Sequence, residues 1–128
     1  MRFGYVPAPY GRLGPAIAAL LDGAVKRGKN DWREVWDSLA TGKAQLWLTV
    51  TDKPIAAMVT RMDGDTFEVW LAGGKVLSGS VPFLETAIEA AKASGATNAR
   101  LEGRKGWSRV LRPYGWHEQG EMLVKEFE

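Results

Sequence analysis

The sequence predicts an α/β domain built on a mixed, mostly antiparallel sheet flanked by helices. The expected order is helix, helix, strand, strand, strand, helix, strand, short helix, strand. Three observations predict it. Apolar residues recur with helical spacing in two early segments, then switch to a period of two across residues 45–71. A long helical pattern follows and separates the third strand from a fourth, so those two strands should run parallel.

The 128 residues suffice for one domain with a substantial core. We assign residues 15–128 to it, preceded by an extended N-terminal arm or edge segment at residues 1–14. Apolar residues make up 45% and charged residues 25%, the balance of an ordinary globular chain rather than a disordered one. A net charge of +2 reflects a small excess of Lys and Arg, not a polycation. With no cysteine and one histidine, His117, disulfides, thiol nucleophiles and Cys- or His-cluster metal sites are excluded. No apolar run reaches the roughly 20 residues that span a bilayer, and the first residues lack the apolar core of a secretion signal. The expected location is the cytoplasm, that of a host cell included, or a particle assembled there.

The opening Tyr5-Val6-Pro7-Ala8-Pro9-Tyr10 is too rich in proline for a helix or a central strand. Pro15 suits a first helical position, and Ile17, Leu20, Leu21, Ala24 and Val25 share one face ahead of a stop at Gly28. Asp31 and Glu34 resemble a capping box, and Trp32, Val35, Trp36 and Leu39 form the stripe of a second helix. Leu46, Leu48 and Val50 then alternate with Gln45, Trp47 and Thr49. Turns at Asp52-Lys53-Pro54 and Asp63-Gly64-Asp65 delimit a second strand with Ile55, Ala57 and Val59 and a third with Phe67, Val69 and Leu71. Residues 73–80 read as a Gly/Ser-rich loop. The helix after it, residues 81–94, turns Leu84, Ala87, Ile88 and Ala91 inward and stops at Gly95. A strand at residues 99–102, a short helix carrying Trp107, Val110, Leu111 and Tyr114 on one buried face, and a last strand at residues 122–127 complete the chain.

That order, with a short helix ending in Gly115-Trp116 and running into a final strand, resembles the GNAT acetyltransferase superfamily from about residue 15 onward. The segment LEGRKGWSRVLRPYGW also resembles small GNAT-like proteins encoded by tailed phages and prophages. The resemblance implies acyl transfer from acetyl-CoA to an amine. It also implies that backbone N–H groups before the long central helix hold the CoA pyrophosphate, since a helix N-terminus offers unpaired donors and partial positive charge. The family's loop has Arg or Gln, two residues, Gly, one residue, then Gly or Ala. The corresponding string here is Lys75-Val76-Leu77-Ser78-Gly79-Ser80, with lysine at the basic position, serine at both small positions and Gly79 between them. The alternative is a plain connection in which Ser80 caps the helix.

For the proton taken from the amine, the resemblance points to Glu68 on the third strand; the alternative is a solvated strand carboxylate. The family's acid, a tyrosine four residues before the closing glycine, is replaced by Leu111. Tyr114 lies on the packed face and His117 at the start of a surface strand, so neither is an evident substitute. Residues 100–116 carry Arg100, Arg104, Lys105, Arg109 and Arg112 against Glu102 alone. Such a cluster more often marks a solvated helix face than a nucleic-acid grip, though its basic side suits an acidic partner or the 3′-phosphate of CoA. Trp47, Trp70, Met58 and Thr60 form either a second core layer or a binding surface. Two classes of function follow: a small N-acyltransferase, or a GNAT-fold protein without catalysis that binds a protein partner, for instance during virion assembly.

Overall fold

The computed structural model describes residues 1–74, 81–102 and 107–127. In chain order it contains β1 (Arg2–Val6), a 3-10 turn (Gly11–Leu13), α1 (Gly14–Arg27), α2 (Trp32–Ala40), β2 (Ala44–Val50), β3 (Pro54–Asp63) and β4 (Thr66–Gly74). There follow α3 (Val81–Ala93), β5 (Asn98–Glu102), α4 (Trp107–Leu111), a second 3-10 turn (Arg112–Tyr114), β6 (His117–Gln119) and β7 (Met122–Glu126). The strands form one mixed sheet in the order β1-β2-β3-β4-β5-β7-β6. As expected, β4 and β5 run parallel, while β5–β7 and β6–β7 are antiparallel. Of the two readings of the N-terminal residues, arm or edge segment, Arg2–Val6 takes the second: it is an edge strand, antiparallel to β2.

The chain divides into two compact units. The first comprises Met1–Arg61 and Trp70–Lys75. Its core joins Ile17, Leu21 and Val25 of α1 and Val35 and Leu39 of α2 to Leu46, Leu48, Ala57, Val59 and Leu71 of the strands. The helical stripes are those the spacing predicts, and Asp31 caps α2 by accepting a hydrogen bond from the Arg33 N–H. Trp32 and Trp36 stack on each other, half-buried against this core. Strict alternation fails at the end of β2. A register shift at Thr49–Val50 leaves Thr49 buried and Val50 only half-buried.

On the other face of β2 and β3 the side chains pack on one another across neighbouring strands, and Trp47 and Met58 are half-buried there. Thr60 is fully buried and accepts the Trp47 indole N–H at 2.9 Å, while Phe3 stacks on Trp47 with ring centroids 5.5 Å apart. Gly73 and Gly74, expected in a loop, extend β4. Their reason is close approach: a Cβ on Gly73 would overlap the Leu20 carbonyl of α1, and one on Gly74 would meet the backbone of Ile55 and Ala56.

The second unit comprises Met62–Val69 and Val76–Glu128. Its buried residues are Phe67 and Val69 of β4, Val81, Leu84, Ala87, Ile88 and Ala91 of α3, Ala99 and Leu101 of β5, and Leu111, Trp116 and Leu123. Lys125 of β7 donates to both carboxylate oxygens of Glu85 on α3, at 3.1 and 3.2 Å. Gly95 ends the α3 segment in the left-handed conformation, as its position predicts. One expectation is corrected. Tyr114 does not lie on a packed helix face; it is 47% exposed. The chain tightens into a 3-10 turn at Arg112–Tyr114, so the 3.6-residue spacing that aligned Tyr114 with Leu111 no longer applies.

Candidate active site

Glu68 lies in β4, and the parallel register makes Arg100 of β5 its direct partner. The ladder between these strands has four pairs, from Thr66↔Asn98 to Val69↔Leu101, whereas β4 continues to Gly74. The Glu68 side chain is only 13% exposed, and its Oε2 accepts a hydrogen bond from Arg100 Nε at 3.2 Å. Arg100 Nη2 donates to Asp63 Oδ2, at the end of β3, at 2.7 Å. These contacts hold the Arg100 guanidinium above its ordinary pKa; the Asp63 bond contributes most, partial burial opposes it, and Glu68 adds to it. Glu68 is therefore an engaged carboxylate rather than a solvated one.

Beyond residues 75–80 the chain enters α3 at Val81, with Pro82 in its first turn. That turn carries no acidic side chain, so no carboxylate of the turn itself opposes an anion at this helix end. Lys75, Ser78, Gly79 and Ser80, expected to hold CoA, lie outside the described residues. At the position of the family's tyrosine, Leu111 is fully buried and offers no proton. His117 is exposed in β6.

The basic stretch separates into parts. Arg100 belongs to the Glu68–Asp63 cluster and not to a surface patch. Arg109 and Arg112 are exposed and line a shallow depression with Ser108 and Pro113, and Arg112 lies 3.5 Å from the Glu118 carboxylate. Arg104 and Lys105 lie outside the described residues. Among the described residues, no group of three or more His, Cys, Asp or Glu side chains is placed to hold a metal ion. No described helix is long and apolar enough to cross a membrane.

The sequence places Glu68 on the third strand but does not show its partners. The signal was present, since acidic and basic residues alternate with apolar ones on two strands expected to be parallel. What the sequence does not supply is the register that sets Glu68 against Arg100.

No family model matches the sequence, and no curated protein matches it. Solved structures do. A Bacillus subtilis acetyltransferase in complex with CoA superimposes with a TM-score of 0.72 at 13% identity, over 99% of each chain. Tetrahymena GCN5 gives 0.70 at 9% identity, over 100% of this chain and 97% of that one. The fold is that of the GNAT acetyltransferases. A GNAT-family acetyltransferase from Brucella melitensis in complex with acetyl-CoA gives 0.67 at 11% identity, over 99% of this chain and 89% of that one. The superpositions cover 99–100% of this chain. At these identities the likeness carries the fold and no residue's role.

Proposed function

We propose that this chain is an N-acyltransferase that uses acetyl-CoA to modify an amine. The observation that carries the reading is the succession of β4, residues 75–80 and α3. A helix whose first turn is free of acid follows the Gly/Ser-rich residues 75–80, and a mostly buried carboxylate, Glu68, lies on the preceding strand. Two of the GNAT-fold structures above were solved with CoA or acetyl-CoA, which supports the same cofactor here. Acetyl-CoA supplies an acyl group activated as a thioester. Lys75 and the backbone around Ser78, Gly79 and Ser80 hold its pyrophosphate, helped by the positive end of α3. Glu68 takes the proton that the amine sheds as it attacks, directly or through one water. With leucine at position 111 no phenol stands at the family's position, and the leaving thiolate takes its proton from solvent. Its main contribution is orientation, and holding donor and acceptor together accounts for a large share of the acceleration. The cytoplasm is the location this chemistry suits.

Incubating the protein with acetyl-CoA and a panel of primary amines, and following thiol release, tests the reading. Transfer should occur and should fall by about 100-fold or more in Glu68→Gln, the range expected for loss of a general base. Release that is independent of every amine, or none at all, would contradict it.

The buried Leu111 favours a second reading, a GNAT-fold protein without catalysis that binds a protein partner. A virion assembly component of phage origin is the form suggested by the wording of residues 101–116. This reading requires that no acetyl group is transferred from acetyl-CoA to any amine.

A further inference from the structure

The contacts around Glu68 carry one step more, which rests on the acyltransferase reading above. A glutamate carboxylate on a strand has several free torsions, and a proton acceptor is useful only when its oxygen is held in place. Here the register sets Arg100 beside Glu68, and the guanidinium grips Oε2 through Nε at 3.2 Å. Its Nη2 is fixed independently by Asp63 at 2.7 Å. A planar guanidinium held at two edges keeps little rotational freedom, unlike a lysine ammonium at the same place. Three strands, β3, β4 and β5, thus contribute one side chain each to a single hydrogen-bonded row. The geometry points to Arg100 as the positioning residue for Glu68, with Asp63 as its anchor. Arg100 acts through the carboxylate and touches neither acyl donor nor amine.

The opposing possibility is that the row only clamps β4 to β5. Kinetics separate the two. Acetyl transfer to n-butylamine as the probe acceptor is measured for the wild-type protein, Arg100→Ala, Arg100→Lys, Asp63→Asn, Glu68→Gln and the Arg100→Ala/Glu68→Gln double variant. The dissociation constant of acetyl-CoA is measured alongside by calorimetry. Arg100→Ala should lower kcat by about tenfold or more, within the range for a misplaced catalytic group, while acetyl-CoA binds as in wild type. Arg100→Lys should recover part of the loss, and Asp63→Asn should lose less than Arg100→Ala.

The double variant should be no slower than Glu68→Gln alone, because a residue that acts through an absent group has nothing left to position. Losses that multiply in the double variant assign the row to a clamp and overturn the inference. So does wild-type kcat in Arg100→Ala when Glu68→Gln has lost activity. Should Arg100→Ala fail to fold, wild-type kcat in Arg100→Lys overturns it equally. Acetyl-CoA binding and transfer both absent from the wild-type protein would remove the acyltransferase reading itself, and this inference with it.

Discussion

The tryptophans of the two units are held differently. In the first, Trp32, Trp47 and Trp70 are half-buried, and each indole N–H has a side-chain acceptor. Asp22 serves Trp32 at 3.1 Å, Thr60 serves Trp47 at 2.9 Å and Asn30 serves Trp70 at 3.3 Å. A cation adds to the last, since the Arg61 guanidinium lies 4.0 Å from the Trp70 ring centroid. In the second unit Trp116 is 2% exposed, and its indole nitrogen has no hydrogen-bond partner among the described residues. The first set ties helix to helix, strand to strand and strand to loop through directed bonds. Trp116 contributes volume, and its orphaned N–H subtracts from that.

The contrast can be broken most forcefully at Trp116 itself. Trp116→Ala should cost about 3–5 kcal/mol by denaturant midpoint, the usual loss for a large buried aromatic. In the first unit Gly73→Ala should cost about 1–3 kcal/mol or more, because the added methyl meets the Leu20 carbonyl and the backbone must shift. Thermal unfolding at neutral pH checks this. A cost near zero would mean that β4 and α1 are not in close approach.

Thr60→Ala strands the Trp47 N–H and should cost about 1–2 kcal/mol, read by chemical denaturation. Trp116→Phe sharpens the comparison. It removes an N–H that has no acceptor among the described residues, so it should cost far less than Trp116→Ala, about 1 kcal/mol or below. A loss as large as that of Trp116→Ala would show that the indole nitrogen is satisfied after all.

The smallest effect is one of pH. Asp22 is held below its ordinary carboxylate range by hydrogen bonds from Lys26 first and Trp32 second. Its stabilisation is therefore present above the unfolded carboxylate pKa and fades as pH falls through the lower native value. Trp32 fluorescence followed during acid titration should change there, and should lose that step in Asp22→Asn.

These contrasts also show what the sequence made legible. Ile17, Leu21 and Val25 on one helix, Val35 and Leu39 on the next, and the parallel β4–β5 pairing follow from periodicity and connection rules, which act locally. Features set by neighbours distant in sequence were not legible. Gly73 reads as loop because its reason, the backbone of α1, lies far away in the chain. Arg100 reads as part of a basic patch because only the register reveals Glu68 and Asp63 beside it. Tyr114 misled because a 3-10 turn replaced helix within a few residues. Glu68 was legible as a residue of the third expected strand, whereas its engagement with Arg100 needed the fold. The residues expected to hold CoA rest on the pattern Lys75-Val76-Leu77-Ser78-Gly79-Ser80 alone.

The most direct test of the central claim is calorimetric titration with acetyl-CoA, alongside a Ser78→Asp/Ser80→Asp variant that places two negative charges where the pyrophosphate should sit. The account predicts saturable micromolar binding by the wild-type protein that disappears in the variant. Absence of binding at millimolar acetyl-CoA, or equal binding by both proteins, would contradict it.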